Sequence, residues 1–257
     1  MLNLNQIYHG DCLEVMKDID DQSIDMILCD LPYGTTACKW DTVISFEPLW
    51  KQYKRIIKPN GAIVLFGSQP FTSALVMSNV KMFKYDWIWK KSKASNFPHA
   101  PNMPLKIFEN ISVFSHGVIG HSKLVGENRM EYYPQGTIDG TKVVKQNVNT
   151  SELAYHRESQ TNHTVGYKCK RENYPTTYLN FKSDSGLHPT QKPVALCEYL
   201  IKTYTNEDDV VLDNCIGSGT TAVACLNTYR HFIGIEKEEE YVNIANIRIS
   251  EIPWWFL

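Results

Sequence analysis

Six short apolar runs constrain this chain most strongly: Ile24–Cys29, Ala62–Phe66, Tyr85–Trp89, Ile111–Phe114, Val210–Leu212 and His231–Ile235. Several are continuous rather than alternating, the pattern of strands covered on both faces by helices. The segments between them carry helical spacing. Phe46 to Ile57 places Leu49, Trp50, Tyr53, Ile56 and Ile57 on one face and stops at Lys58-Pro59-Asn60-Gly61. Further helices are predicted at about 13–19, 70–79, 193–204 (starting on Pro193), 219–228 and 238–249, the last with Tyr241, Ile244, Ala245 and Ile249 on one side. Strands alternating with helices predict an α/β fold built on a mostly parallel, twisted sheet.

The alternation fails from about 117 to 185, where Gly, Asn, Thr and charged residues dominate and no period persists. So long a stretch without elements implies an insertion in an otherwise compact domain. The predicted organisation is therefore one α/β domain from residues 1–116 and 186–257, with 117–185 inserted. Charge separates the two. Residues 81 to 192 hold 16 Lys and Arg against 9 Asp and Glu, whereas the whole chain holds 26 against 28, so a basic segment sits in an acidic frame. Six of the eight histidines lie there, with Tyr132, Tyr133, Tyr155, Tyr167, Tyr174 and Tyr178, a mix that suits phosphate contacts and base stacking. A solvated lysine-rich face would have the same charge.

Other classes are excluded. A chain of 257 residues buries enough core to need no disulfide framework, and no apolar run approaches the ~18 residues of a membrane span. The seven cysteines include no C-x-x-C pair, and Cys29, Cys215 and Cys225 sit in apolar runs, as reduced thiols do. With no basic-apolar leader at Met1–Gln6, the chain is expected to stay in the cytoplasm. No His or Cys spacing matches a metal site, and none is predicted.

Two places carry chemistry. Strand Val210–Leu212 runs into Asp213-Asn214-Cys215-Ile216-Gly217-Ser218-Gly219-Thr220-Thr221-Ala222, and a later strand ends at Glu236. Glycines there allow a nucleotide-like ligand to approach the backbone, and Glu236 can accept from ribose hydroxyls. A ligand-free strand-to-helix turn would use the same glycines. If a ligand binds, Asp213 disfavours a pyrophosphate at the helix N-terminus and suits a cationic, phosphate-free one such as S-adenosylmethionine. The second place is Asp30-Leu31-Pro32-Tyr33, where a strand ends in a carboxylate and Pro32 stops the ladder. A carboxylate, the Leu31 carbonyl and an aromatic ring then stand at a strand's carboxyl end, where α/β sheets bind ligands.

Asp30-Leu31-Pro32-Tyr33 resembles the D-P-P-Y signature of amino-group DNA methyltransferases. Asp213 to Thr221 resembles that family's D-x-F-x-G-S-G-T-T loop, and His188-Pro189-Thr190-Gln191-Lys192-Pro193 is similar to its H-P-T-Q-K-P segment. The order, catalytic motif, insertion, then cofactor motifs, is that of the β subgroup. Leu31 departs from the usual proline, and Asn214-Cys215-Ile216 from the usual Pro-Phe or Pro-Cys run.

The resemblance implies a Rossmann-like methyltransferase fold and methyl transfer from S-adenosylmethionine, leaving S-adenosylhomocysteine, to the exocyclic amine of a flipped base. An aspartate heading the motif favours adenine N6. Asp30 and the Leu31 carbonyl would accept the amine hydrogens, Pro32 fix the turn and Tyr33 stack on the base. Cofactor contacts are implied for Asp11, Cys12, Asp30, His188, Thr190, Lys192, Asp213, Gly217, Ser218, Gly219, Thr220, Thr221 and Glu236. Asp11 could equally cap the helix that follows it. The implied partner is double-stranded DNA, with 117–185 as target-recognition segment; a homodimer and a cognate restriction endonuclease are compatible partners. Competing readings are cytosine N4 methylation, methylation of RNA or a protein amide, and a non-catalytic nucleic-acid-binding module.

Overall fold

The structure, a computed structural model, describes residues 2–35, 41–120, 125–140, 143–148, 163–168, 170–183 and 191–252, with backbone alone for 143–148 and 163–168. An eight-stranded sheet has the order β1 (Gln6–His9), β12 (His231–Glu236), β11 (Val210–Asp213), β2 (Ile24–Cys29), β3 (Ile57–Gly67), β5 (Lys106–Phe114), β4 (Phe83–Ser95), β10 (Tyr178–Asn180). Pairing is parallel from β1 through β3 and between β4 and β10, while β5 runs antiparallel to both its neighbours.

Alternation along the central strands explains the two hydrophobic layers. Met26 and Leu28 of β2, with Ala62, Val64 and Phe66 of β3, face α4 (Val194–Tyr204) and α5 (Thr220–Asn227). Ile27 and Cys29, with Ile63 and Leu65, face the other way, onto α1 (Cys12–Val15), α2 (Phe46–Ile56) and α3 (Phe71–Ser78). Both sides of these strands are buried, as their unbroken apolar runs require. A last helix, α6 (Glu239–Ser250), follows β12. The described cysteines, Cys12, Cys29, Cys197, Cys215 and Cys225, are free thiols.

The structure differs from the sequence reading in local ways. Helix α2 passes directly into β3, so Lys58–Gly61 is not a loop. It is an irregularity in the strand, because register jumps from Ile24 opposite Ile57 to Met26 opposite Ala62. Pro59 has no amide to give the ladder, and at Gly61 a Cβ would lie 2.6 Å from the Asp25 carbonyl. Strands β1 and β10 carried no continuous apolar signal. Within 117–185, β10 joins the main sheet, and β6 (Ile138–Asp139) pairs with β9 (Arg171–Glu172), and β7 (Val143–Val148) with β8 (His163–Lys168). The chain forms two compact units, one of residues 1–133 and 177–257, the other of 134–176. No helix among the described residues is long and apolar enough to cross a membrane.

Candidate active site

Strands β1, β12, β11 and β2 are neighbours and parallel, so their carboxyl ends share one rim. Each run leads to a carboxylate: Asp11 two residues past β1, Glu236 ending β12, Asp213 ending β11 and Asp30 just past β2. All four line one cavity of about 690 Å³, a size typical of small-ligand sites. Of the described residues expected from sequence to form a site, only Gly219 is outside the lining: Cys12, Leu31, Pro32, Tyr33, Lys192, Gly217, Ser218, Thr220 and Thr221 all contribute. His188 and Thr190 lie outside the described residues.

At the glycine-loop end the carboxylates also build the loop. Asp213 accepts from the Thr221 hydroxyl at 2.6 Å and the Cys215 amide at 3.1 Å. Burial nevertheless pushes its carboxyl up to about 7. Glu236 accepts from the Gly217 amide at 2.8 Å and the Glu238 amide at 2.9 Å, tying the loop to the end of β12. Asp11 is the N-cap of α1, accepting from the Leu13 amide at 2.9 Å, so the capping role is realised at the edge of the same cavity. Gly219 serves packing: at φ +83° it sits in the left-handed region, and a Cβ there would lie 2.8 Å from that of Ala245. Arg248 of α6 clamps the loop from outside by donating to the Ser218 carbonyl at 2.6 Å.

A different arrangement surrounds Asp30. The Tyr33 hydroxyl donates to Asp30 Oδ1 at 2.5 Å, and Lys192 Nζ donates to Oδ2 at 2.5 Å. Tyr33 packs on Phe71 with ring centroids 5.0 Å apart. Lys192 Nζ also lies 3.3 Å from Glu109 Oε2, and Lys91 reaches Glu109 Oε1 at 3.2 Å. Burial lifts the Asp30 carboxyl above the ordinary carboxylate range, against the pull of Lys192. Burial and the Asp30 charge keep Tyr33 a phenol. Although burial opposes its charge, the two carboxylates raise Lys192, which stays an ammonium. At Glu109, Lys192 and Lys91 outweigh burial and hold the carboxyl below its usual range.

Several of these residues escaped the sequence reading. Asp41 accepts from the amides of Gly34 at 2.8 Å and Thr35 at 2.9 Å, bracing the turn after Tyr33, and nothing near it in sequence marks that role. Glu109 did leave a signal, a lone carboxylate between Phe108 and Ile111 in a strand run. Phe66 and Trp89 add apolar walls beside it, and their apolar runs read only as core.

The DNA methylase family model of N6 and N4 amino-methyltransferases matches residues 24–247. The chain belongs to this family. Among curated relatives of this methylase, the Type II methyltransferase M2.MboI of Moraxella bovis is 28% identical over 272 residues, covering 96% of this chain and 88% of that one. The Type II methyltransferase M2.LlaDCHI of Lactococcus lactis subsp. cremoris is 27% identical, covering 95% and 89%. Among solved structures, an M1.HpyAVI-SAM complex superposes with TM-score 0.59 at 25% identity, over 95% of this chain and 98% of that one. PvuII DNA methyltransferase, cytosine-N4-specific, superposes with TM-score 0.65 at 16% identity over 96% and 87%, a likeness of fold. The α/β architecture expected from the apolar runs is thus that of DNA methyltransferases, and the resemblance carried by Asp30–Tyr33 and the glycine loop is borne out at the level of the family.

Proposed function

We propose that this methylase transfers a methyl group from S-adenosylmethionine to the N6 amine of adenine in double-stranded DNA. The observation that carries this reading is the convergence of Asp30-Leu31-Pro32-Tyr33 and the glycine loop on one cavity. The donor set suits the cofactor. Around the glycine loop the cavity is lined by Asp11, Asp213, Glu236 and Glu238 with Lys237, a surplus of carboxylates that favours a cation over a phosphate. Glu236 and Asp11 would take ribose and adenosine polar groups, Asp213 the ammonium end, and Gly217, Ser218, Thr220 and Thr221 would let the ligand approach the backbone. When bound, S-adenosylmethionine supplies an electrophilic methyl group on a sulfonium.

The protein's own residues supply orientation. An aromatic exocyclic amine is a weak nucleophile because its lone pair is delocalised into the ring. Asp30 and the Leu31 carbonyl would each accept one amine hydrogen, weakening the delocalisation of the lone pair and aiming it at the methyl carbon. Pro32 holds those two acceptors in a fixed turn that Asp41 braces from behind. Phe66, Trp89 and Tyr33 give the apolar lining on which an extruded base can stack, at ~1–3 kcal/mol per base against the few kcal/mol that flipping costs. As an acceptor of one amine hydrogen, Asp30 would be placed to take the proton that the methylated amine sheds.

Residues 134–176, with exposed Lys170 and Arg171, would be the core of a target-recognition segment, their cations on phosphates and polar side chains on base edges. A cognate restriction endonuclease fits a chain whose curated relatives are named Type II methyltransferases. The test is incubation with methyl-labelled S-adenosylmethionine and DNA of mixed sequence, then separation of nucleosides. Label in N6-methyladenine is expected. Label in N4-methylcytosine would overturn the choice of base, and label only in RNA or protein would overturn the substrate.

A further inference from the structure

Lys192, which the sequence resemblance implies on the cofactor, lines the cavity, and its ammonium is held between two carboxylates from different parts of the fold, Asp30 after β2 at 2.5 Å and Glu109 of β5 at 3.3 Å. Its side chain is 9% exposed, Glu109's 14% and Asp30's 29%. A pair with so buried an ammonium gains little net stability over apolar packing, which leaves room for a role beyond holding the fold. The charges form a line. Tyr33 and Lys192 occupy the two oxygens of Asp30, Glu109 shares Lys192 with it, and Lys91 of β4 closes the far side of Glu109. The other titratable groups facing Asp30 are Cys29 on its own strand and Asp213 on β11. Burial pushes the Cys29 thiol up to about 12, so it brings no charge near neutral pH.

We propose that Lys192 is a positioning residue for methyl transfer: held by Glu109, it fixes the orientation of the Asp30 carboxylate and keeps it ionised in a buried site. The inference rests on the methyltransferase reading of the cavity. Its physical basis is that Asp30 accepts an amine hydrogen only as a carboxylate aimed at the base, while burial raises its carboxyl toward the protonated form. Lys192 opposes that protonation; Glu109 anchors Lys192 and works in the other sense on Asp30, by like-charge repulsion. The two partners therefore push the Asp30 titration in opposite directions, which mere scaffolding would not do.

The experiment measures single-turnover methyl transfer at saturating S-adenosylmethionine against pH for the wild type, K192M, K192R and E109Q. Loss of the ammonium should slow turnover by about 10²-fold, as small misplacements of reacting groups do, and move the acid limb up by about one pH unit or more. E109Q should move the limb down, and K192R should restore it to near the wild-type position. A cofactor ligand would instead weaken S-adenosylmethionine binding, measured by calorimetry on the same variants, and leave the limb in place, which would overturn the proposal. So would shifts of the two variants in the same direction, or K192M turnover within about threefold of wild type. If K192M fails to fold, E109Q carries the test, because it leaves Lys192 paired with Asp30. Titration of the Asp30 carboxyl by ¹³C NMR, assigned with D30N, needs no turnover and must show the same opposite shifts. A wild type inactive on DNA would refute the methyltransferase reading, while this titration still decides the coupling.

Discussion

Asp213 offers a test in which stability and ligand binding respond oppositely. Its side chain is buried at the end of β11, with an ordinary carboxyl value of 3.8 raised to about 7, chiefly by burial. A folded-state value above the unfolded one means the folded protein holds this proton more tightly. The group's contribution to stability is then complete below about pH 4 and is lost as pH rises through about 7. At ~1.4 kcal/mol per pH unit, a rise of roughly three units corresponds to at most ~4 kcal/mol. The side-chain amide introduced by D213N cannot ionise. Urea unfolding of the ligand-free wild type and D213N at pH 5 and pH 8 isolates the effect, since the other titrations cancel in the double difference. D213N should gain on the wild type by up to ~2–3 kcal/mol between the two pH values, because part of the full effect is already lost by pH 5, even if losing the bonds to Thr221 and Cys215 makes it less stable at pH 5. Affinity for S-adenosylmethionine should change the other way. It should rise from pH 6 to pH 8 in the wild type, as Asp213 ionises opposite the ammonium, and stay weak and flat in D213N. A double difference below about 0.5 kcal/mol would refute the argument that burial of this carboxylate is costly.

Replacing Asp30 with Ala should abolish methyl transfer and leave S-adenosylmethionine binding measurable by calorimetry; retention of more than about a tenth of the turnover, only ~1.4 kcal/mol of barrier, would remove Asp30 from the chemistry. Gly219→Ala should lower stability by ~2–5 kcal/mol, from ~1–2 for a left-handed non-glycine residue and ~1–3 for the contact with Ala245, and calorimetry showing an unchanged Tm would contradict it. Neutralising Lys170 and Arg171 together should weaken binding to target and non-target duplexes alike and flatten the salt dependence, as loss of phosphate contacts does. A selective loss on target DNA would assign them to base reading instead.

The parts legible in sequence were those whose cause is local. Continuous apolar runs marked β2, β11 and β12 because burial on both faces leaves no room for polar residues. Asp30, Asp213 and Glu236 stood out because each ends an apolar strand in a carboxylate, although Asp213 and Glu236 also brace the glycine loop. Their assembly was not local. The order β12-β11-β2 brings residues 236, 213 and 30 to one rim, and part of what fixes that order is the Val210 amide donating to Asp25 Oδ2 at 3.0 Å, across 185 residues of sequence. No periodicity announces such a bond. Lys192 shows the same limit within the site. In sequence it belongs to a segment just before α4 and resembles a cofactor motif, yet its reach is set by where α4 packs on β2 and where β5 returns antiparallel beside β3. Only that packing puts Glu109 and Asp30 on either side of one ammonium. The residues that do chemistry can therefore be nominated from strand ends, but the electrostatics that govern them are set by lateral packing, and the direction in which the Asp30 titration moves depends on which of its two opposed neighbours is removed.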